Sequence, residues 1–197
     1  MLHFIRISEK ENISPLLAEV DAASGLWQLD TSRQRKVKCQ RNTYNIFLRS
    51  ALKPLPPGVK NANDVHGSRD TPISHGFSCT LAFCQRIAKA IEGELGRVTL
   101  VSLHPQSKVY PHIDVGSYYK IRDRFHLVLR SPNGSPLTTE GETVVMQEGE
   151  LWAFNNKARH WAENLSEEPR IHLIFDVLPP EGKGFFVLPL DSKVGIY

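Results

Sequence analysis

The apolar residues keep two different rhythms along this chain. Between residues 13 and 23, and again between 77 and 95, they recur with helical spacing; in the second stretch Leu81, Ala88, Ile91 and Leu95 share one side and Gly96 follows as a stop signal. Residues 42–49 read as a strand, after which Lys53-Pro54-Leu55-Pro56-Pro57-Gly58 interrupts regular structure. From Pro54 to His75 the pattern predicts a long, polar, mobile connection of the kind that borders binding sites. Beyond residue 97 the elements are strands, predicted at 98–103, 125–129, 143–146, 151–154 and 171–177, with turns at 131–136 and 147–150. Short strands so spaced predict a sandwich or barrel.

Composition narrows the setting. At 197 residues and 41% hydrophobic, the chain supports a single domain, with a mixed, partly helical portion over 1–96 packed on a strand-rich core over 97–180. Cys39, Cys79 and Cys84 are odd in number and lack CxxC spacing, which argues for reduced thiols in a cytoplasm over a disulfide-stapled secreted domain. The N-terminus has no apolar signal region, and there is no uncharged apolar run of about 18 residues, so neither targeting nor a membrane span is expected. The net charge of +3 is mild. Its one local excess, Lys36-Val37-Lys38-Cys39-Gln40-Arg41, lacks interleaved aromatics and predicts a solvated strand or loop rather than a nucleic-acid footprint. Nothing in the pattern sets an oligomeric state.

The strand pattern leaves one set of residues without a packing role: His112-Ile113-Asp114, Arg124-Phe125-His126, His160 and Arg170. Alternation along a strand places His112 with Asp114, Arg124 with His126, and Arg170 with His172 and Ile174 on common faces. The opposite positions, Phe125, Leu127 and Leu129 with Ile171, Leu173, Phe175 and Val177, are expected to pack against the other layer. Two imidazoles and a carboxylate form the facial ligand set of non-haem Fe(II) oxygenases, and His112, Asp114 and His160 supply it; three positions remain for a 2-oxo acid and O2. Arg170, ten residues beyond His160, offers a guanidinium fork for a distal carboxylate.

From Val98 to Pro179 the chain resembles the aspartyl/asparaginyl β-hydroxylase family of 2-oxoglutarate-dependent dioxygenases, on His112, Arg124-Phe125-His126, His160-Trp161-Ala162-Glu163-Asn164 and Arg170. Leu26 to Thr31 and Asn45 to Arg49 are compatible with it. The resemblance implies a mainly β fold, a cupin-like double-stranded β-helix or jelly roll with flanking N-terminal α-helices. It implies iron on His112 and His160, and 2-oxoglutarate held by Arg170, Arg124 and His126. The family's animal peptide hydroxylases lack the metal carboxylate, so Asp114 sets this chain nearer the bacterial members and small-molecule hydroxylases.

The expected reaction is hydroxylation of an unactivated carbon with Fe(II), 2-oxoglutarate and O2. The first substrate expectation is the β-carbon of an aspartyl or asparaginyl residue in a peptide or protein. A free amino acid or small metabolite is the alternative, and a non-enzymatic cupin-like metal sensor the alternative of another class. Arg49, Lys60 and Arg69 are possible substrate-carboxylate contacts, although solvated loop charge is the simpler reading. His104 and His172 read as structural histidines near the site, Asn164 as a turn-fixing residue, and Trp152 and Trp161 as core or pocket wall.

Overall fold

A computed structural model of the chain describes residues 2–133 and 135–186. Gly134, within the turn expected at 131–136, falls outside them. The strands are β1 (Phe4–Ser8), β2 (Thr43–Ala51), β3 (Ser68–Asp70), β4 (Glu94–Leu103), β5 (Ser107–His112), β6 (Asp123–Arg130), β7 (Leu137–Thr139), β8 (Glu142–Val144), β9 (Leu151–Phe154), β10 (His160–Asn164) and β11 (Arg170–Leu178). They form two antiparallel sheets, one ordered β1-β9-β6-β11-β4-β2-β3 and the other β5-β10-β7-β8. Together they make a jelly roll. The helices are α1 (Ser14–Ala22), α2 (Ser32–Lys36), α3 (Ser78–Ala90) and α4 (Ser117–Lys120).

The two faces of the larger sheet do different work. Its outer face packs Ile46, Leu100, Phe125, Leu127, Leu173 and Phe175 against Leu16 and Val20 of α1 and Phe83, Cys84 and Ile87 of α3. Each fully buried Leu or Phe there contributes about 1.5–3 kcal/mol. The layer that Phe125, Leu127, Leu129, Ile171, Leu173, Phe175 and Val177 meet is thus the helical one. The inner face meets the smaller sheet only over a modest cluster that includes Leu103, Val109, Val128, Leu137, Phe154 and Ala162. The rest of that interior is left for polar side chains.

Helix α3 is shorter than its apolar rhythm predicts. Its buried face is Phe83, Cys84, Ile87 and Ala88, and it ends at Ala90. Glu92 takes a left-handed φ of 55°, and the Gly93 amide donates to Ala88 O at 2.8 Å. A Cβ on Gly93 would lie 2.5 Å from Val177 Cγ1, so glycine lets the chain turn tightly under β11. Leu95 and Gly96 already belong to β4; Leu95 fits the helical spacing only because strand alternation coincides with it. The N-terminus of α3 is capped from another element. Glu19 of α1 accepts from the amides of Cys79 and Thr80 at 2.7 and 2.9 Å, placing a carboxylate on the positive end of the helix.

Other boundaries also move. The mixed portion before residue 97 contributes β1, β2 and β3 to the larger sheet. The basic run 36–41 is helical in part, covering the end of α2 and a 3-10 turn at Lys38–Gln40. The connection after Pro54 contains β3 and two 3-10 turns, Ala62–Asp64 and Pro72–Gly76. It is fastened by Arg97, whose guanidinium donates to the carbonyls of Ala62 and Val65, and by Asp64, which accepts from the Ser117 amide at 2.9 Å. No helix among the described residues is long and apolar enough to cross a membrane.

Candidate metal centre

Strand pairing brings the two histidines together. β10 and β5 run antiparallel with His160 directly opposite His112, and the ring centroids are 4.2 Å apart. His112 Nδ1 lies 2.8 Å from Tyr110 O and His160 Nδ1 lies 2.9 Å from Ala158 O. A carbonyl can only accept, so both Nδ1 atoms carry the proton; the Nε2 lone pairs face the cluster, that of His112 with Gln40 Nε2 at 3.4 Å. Burial, eased by the Asp114 carboxylate, holds the His160 imidazolium down to about 4, which keeps its lone pair available at neutral pH.

Asp114 arrives by a different route from the one its spacing suggests. β5 ends at His112, and Asp114 lies beyond it, pinned by its own amide to Asn156 O at 3.1 Å. Its Oδ2 accepts from Asn156 Nδ2 at 3.1 Å and from Arg124 Nη1 at 2.5 Å. Oδ1 is left facing His112 Nε2 at 3.8 Å. One donor atom from each of His112, Asp114 and His160 falls within 4.8 Å of the others. This donor set fits a divalent transition metal of the iron type: two neutral imidazoles and one carboxylate oxygen, with the cavity side of the cluster open.

The two arginines of the interior are in opposite situations. Each nitrogen of Arg124 donates to a carboxylate: Nε and Nη2 to the two oxygens of Asp176 at 2.8 and 3.1 Å, and Nη1 to Asp114. Burial would raise the Asp114 carboxyl, but Arg124, then His160 and His112, hold it well below the usual carboxylate range. Burial would likewise lower Arg124, and Asp176 with Asp114 instead raise it well above its ordinary value. The cosubstrate role implied for Arg124 concerns a cavity-lining guanidinium that already donates to two carboxylates.

Arg170 is the reverse. It is 7% exposed, and among the described residues its Nε has no partner and its Nη2 meets His172 Nδ1 at 3.4 Å. No carboxylate pairs with it among the described residues, and burial lowers it to about 10. His126 Nδ1 lies 3.3 Å from His172 Nδ1, and burial followed by the Arg170 charge pushes both imidazoles well below their ordinary value. Sheet register sets the distance between the two ends. Arg170, His172, Ile174 and Asp176 are successive inward positions of β11, with His126 opposite Ile174 and Arg124 opposite Asp176.

Both ends open into one cavity of about 770 Å³. Its outer wall comes from the N-terminal half: Leu26, Leu29, Val37, Phe47 and Ile73 supply apolar surface, and Arg33, Lys36 and Lys53 stand against the single acid Asp30 at that end. Of the loop cations singled out by sequence, Arg49 lines the cavity but is paired with Asp70, while Lys60 and Arg69 do not line it. Three site residues gave no sequence signal. Asn156 and Asp176 hold Asp114 and Arg124, and Gln40 places Nε2 3.4 Å from His112 Nε2. Asn164 closes the turn after β10, donating to Leu103 O, His104 O and Glu168 O. His104 stacks on Tyr44 rather than joining the cluster.

The sequence model of the aspartyl/asparaginyl beta-hydroxylase family matches residues 64–180. No curated protein matches the chain. Among solved structures, it is similar to an oxidoreductase of the 2OG-Fe(II) oxygenase family from Burkholderia pseudomallei, with TM-score 0.61, 12% identity, and 94% of this chain and 89% of that one covered. It is also similar to a prolyl-4-hydroxylase from Pseudomonas putida, with TM-score 0.51, 11% identity, and 90% and 93% covered. At such identities the shared property is the fold.

Proposed function

The chain belongs to the aspartyl/asparaginyl β-hydroxylase family, and on that premise we propose that it hydroxylates the β-carbon of an aspartyl or asparaginyl residue, with His112, Asp114 and His160 as the iron ligands and Arg170 as the anchor of 2-oxoglutarate. The observation that carries the reading is the pairing, within one cavity, of an open three-donor cluster with a buried guanidinium that has no acid of its own among the described residues. A buried cation without a partner is costly, and a dicarboxylate reaching it from the metal end would remove that cost.

Bound iron with 2-oxoglutarate and O2 would supply the oxidising chemistry, releasing succinate and carbon dioxide. The chain's own residues bind and shield. Arg170 offers its fork to the distal carboxylate, the neutral His126 and His172 add no competing positive charge, and Leu103, Val109 and Leu137 exclude water from that end. At the outer end Arg33, Lys36 and Lys53 favour a substrate that carries negative charge, which suits an acidic peptide. A free acidic amino acid would meet the same cations, so both classes belong in the test.

Incubation in air with Fe(II), ascorbate and 2-oxoglutarate, across acidic peptides and free amino acids, is expected to release succinate in step with a product heavier by one oxygen. Protein that binds Mn(II) but shows no affinity for 2-oxoglutarate would refute the reading. Oxygen gain on free amino acids alone would replace the peptide by the small-molecule alternative.

A further inference from the structure

We propose that the mouth of the cavity docks an acidic segment of a polypeptide, gripped outside the cavity by a basic apron built on α2; this rests on the peptide reading above for what the segment delivers to the metal end. The mild net charge conceals a division. From Thr31 to Asn63 the chain has eight Lys or Arg and no Asp or Glu. The remaining 16 Lys and Arg face all 21 Asp and Glu, which leaves the rest of the chain at −5. Five of the eight, Arg33, Arg35, Lys36, Lys38 and Arg41, fall on α2 or just after it. None of the five forms an ion pair among the described residues.

Position separates this patch from a pocket for a small acid. Arg33 and Lys36 stand in the cavity wall, whereas Arg35, Lys38 and Arg41 do not line it. A free amino acid inside the cavity leaves those three without a partner; a chain that enters the cavity and continues outward over the surface meets them in turn. Arg41 and Lys108 lie over the Tyr110 ring, 4.2 and 5.4 Å from its centroid, and carry the positive surface onto β5. Asp30, the acid at that end of the cavity, is engaged by the Ser32 amide at 2.9 Å. Between the cations the rim is apolar. Leu29, Ile113 and Val115 line the mouth yet are 67, 48 and 63% exposed. Aliphatic side chains gathered at one opening and ringed by charge mark an interaction surface rather than a solvated face. The occupant that matches both features is a segment whose acidic residues flank an aliphatic one.

The test uses the full-length, metal-free protein and a fluorescein-labelled synthetic peptide in which Glu residues surround a central Asn-Leu pair. Fluorescence anisotropy is expected to show binding that weakens about 10-fold as NaCl rises from about 50 to about 300 mM. The double variant Arg35→Glu, Lys38→Glu is expected to weaken it about 10-fold or more at the lower salt, while 2-oxoglutarate affinity at saturating Mn(II) stays within about twofold. Both positions are exposed, so folding, checked by circular dichroism, is expected to hold. Leu29→Ser is expected to erase a preference of about threefold or more for this peptide over one with Ser in place of Leu. No binding by the wild-type protein at the lower salt, equal affinity in the double variant, or a parallel loss of 2-oxoglutarate affinity overturns the inference. Tighter binding of a single-stranded oligonucleotide, or of phosphatidylglycerol vesicles, at the same salt overturns it too and gives the apron to that partner. Peptide that binds through the apron but gains no oxygen with Fe(II) and 2-oxoglutarate supports the docking surface and overturns only the peptide reading of the active site.

Discussion

The metal end and the deep end of the cavity both hold a buried arginine, and the two differ in almost everything else. Arg124 meets two carboxylates, and Arg170 meets none among the described residues. Both face inward from central strands of the same sheet, so neither strand position nor residue type separates them. Partners do: an arginine paired with carboxylates is held in place by them, whereas one without them is poised to take an anion.

The largest effect tests whether the metal end is a metal end. His112→Ala and His160→Ala are each expected to reduce succinate release to background and to abolish Mn(II) binding, and near-normal turnover in either would remove that half of the comparison. Next comes the stability contrast. Arg124→Met strands Asp114 and Asp176 as buried charges and is expected to destabilise the metal-free protein by about 3–5 kcal/mol in urea unfolding. Arg170→Met removes a lone buried charge and is expected to raise the melting temperature of the ligand-free protein, at about 2–4 °C per kcal/mol. A drop for Arg170→Met as large as that for Arg124→Met would mean that Arg170 has a partner after all.

Arg170→Met also separates the two ends by ligand. Losing a charge-assisted bond worth about 1.5–3 kcal/mol is expected to weaken 2-oxoglutarate about 10–100-fold in calorimetry, with Mn(II) affinity unchanged. Unaltered 2-oxoglutarate affinity would move the anchor elsewhere. The smallest effect is on pH. His126, His160 and His172 are held below their ordinary value of 6.5 by burial, so the unfolded chain binds protons that the folded metal-free chain refuses. Unfolding then takes up protons, and stability is expected to fall as pH drops below about 6.5, with His160 contributing at most about 1.4 kcal/mol per pH unit down to about 4. A flat melting temperature from pH 6.5 to 5 would show that these imidazoles charge freely in the folded protein.

Much of the fold is visible in local pattern. β2, β4, β6, β9 and β11 carry apolar residues at alternate positions, and α1 and the body of α3 carry them at helical spacing, because an outer core under helices demands both periods. β10 escapes that pattern because its buried positions are His160, Ala162 and Asn164, two of them polar. β5 escapes because its buried residue is Val109 alone and Pro111 sits near its end, tolerated on an edge strand. Among the strands that the pattern misses, β5 and β10 carry the two histidines proposed as metal ligands, and there the site displaces the apolar residues that would announce a strand.

By itself the sequence determined the kinds of group available, two histidines, one aspartate and a later arginine, because ligand chemistry depends on residue type and rough spacing. Only the tertiary structure decided what each charge is bound to. Arg124 lies 10 residues from Asp114 and 52 from Asp176 along the chain, separations with no fixed geometry until the sheet sets the register. Electrostatic roles are set by distances of a few ångströms in a dry interior, and those distances come from strand pairing rather than from local sequence.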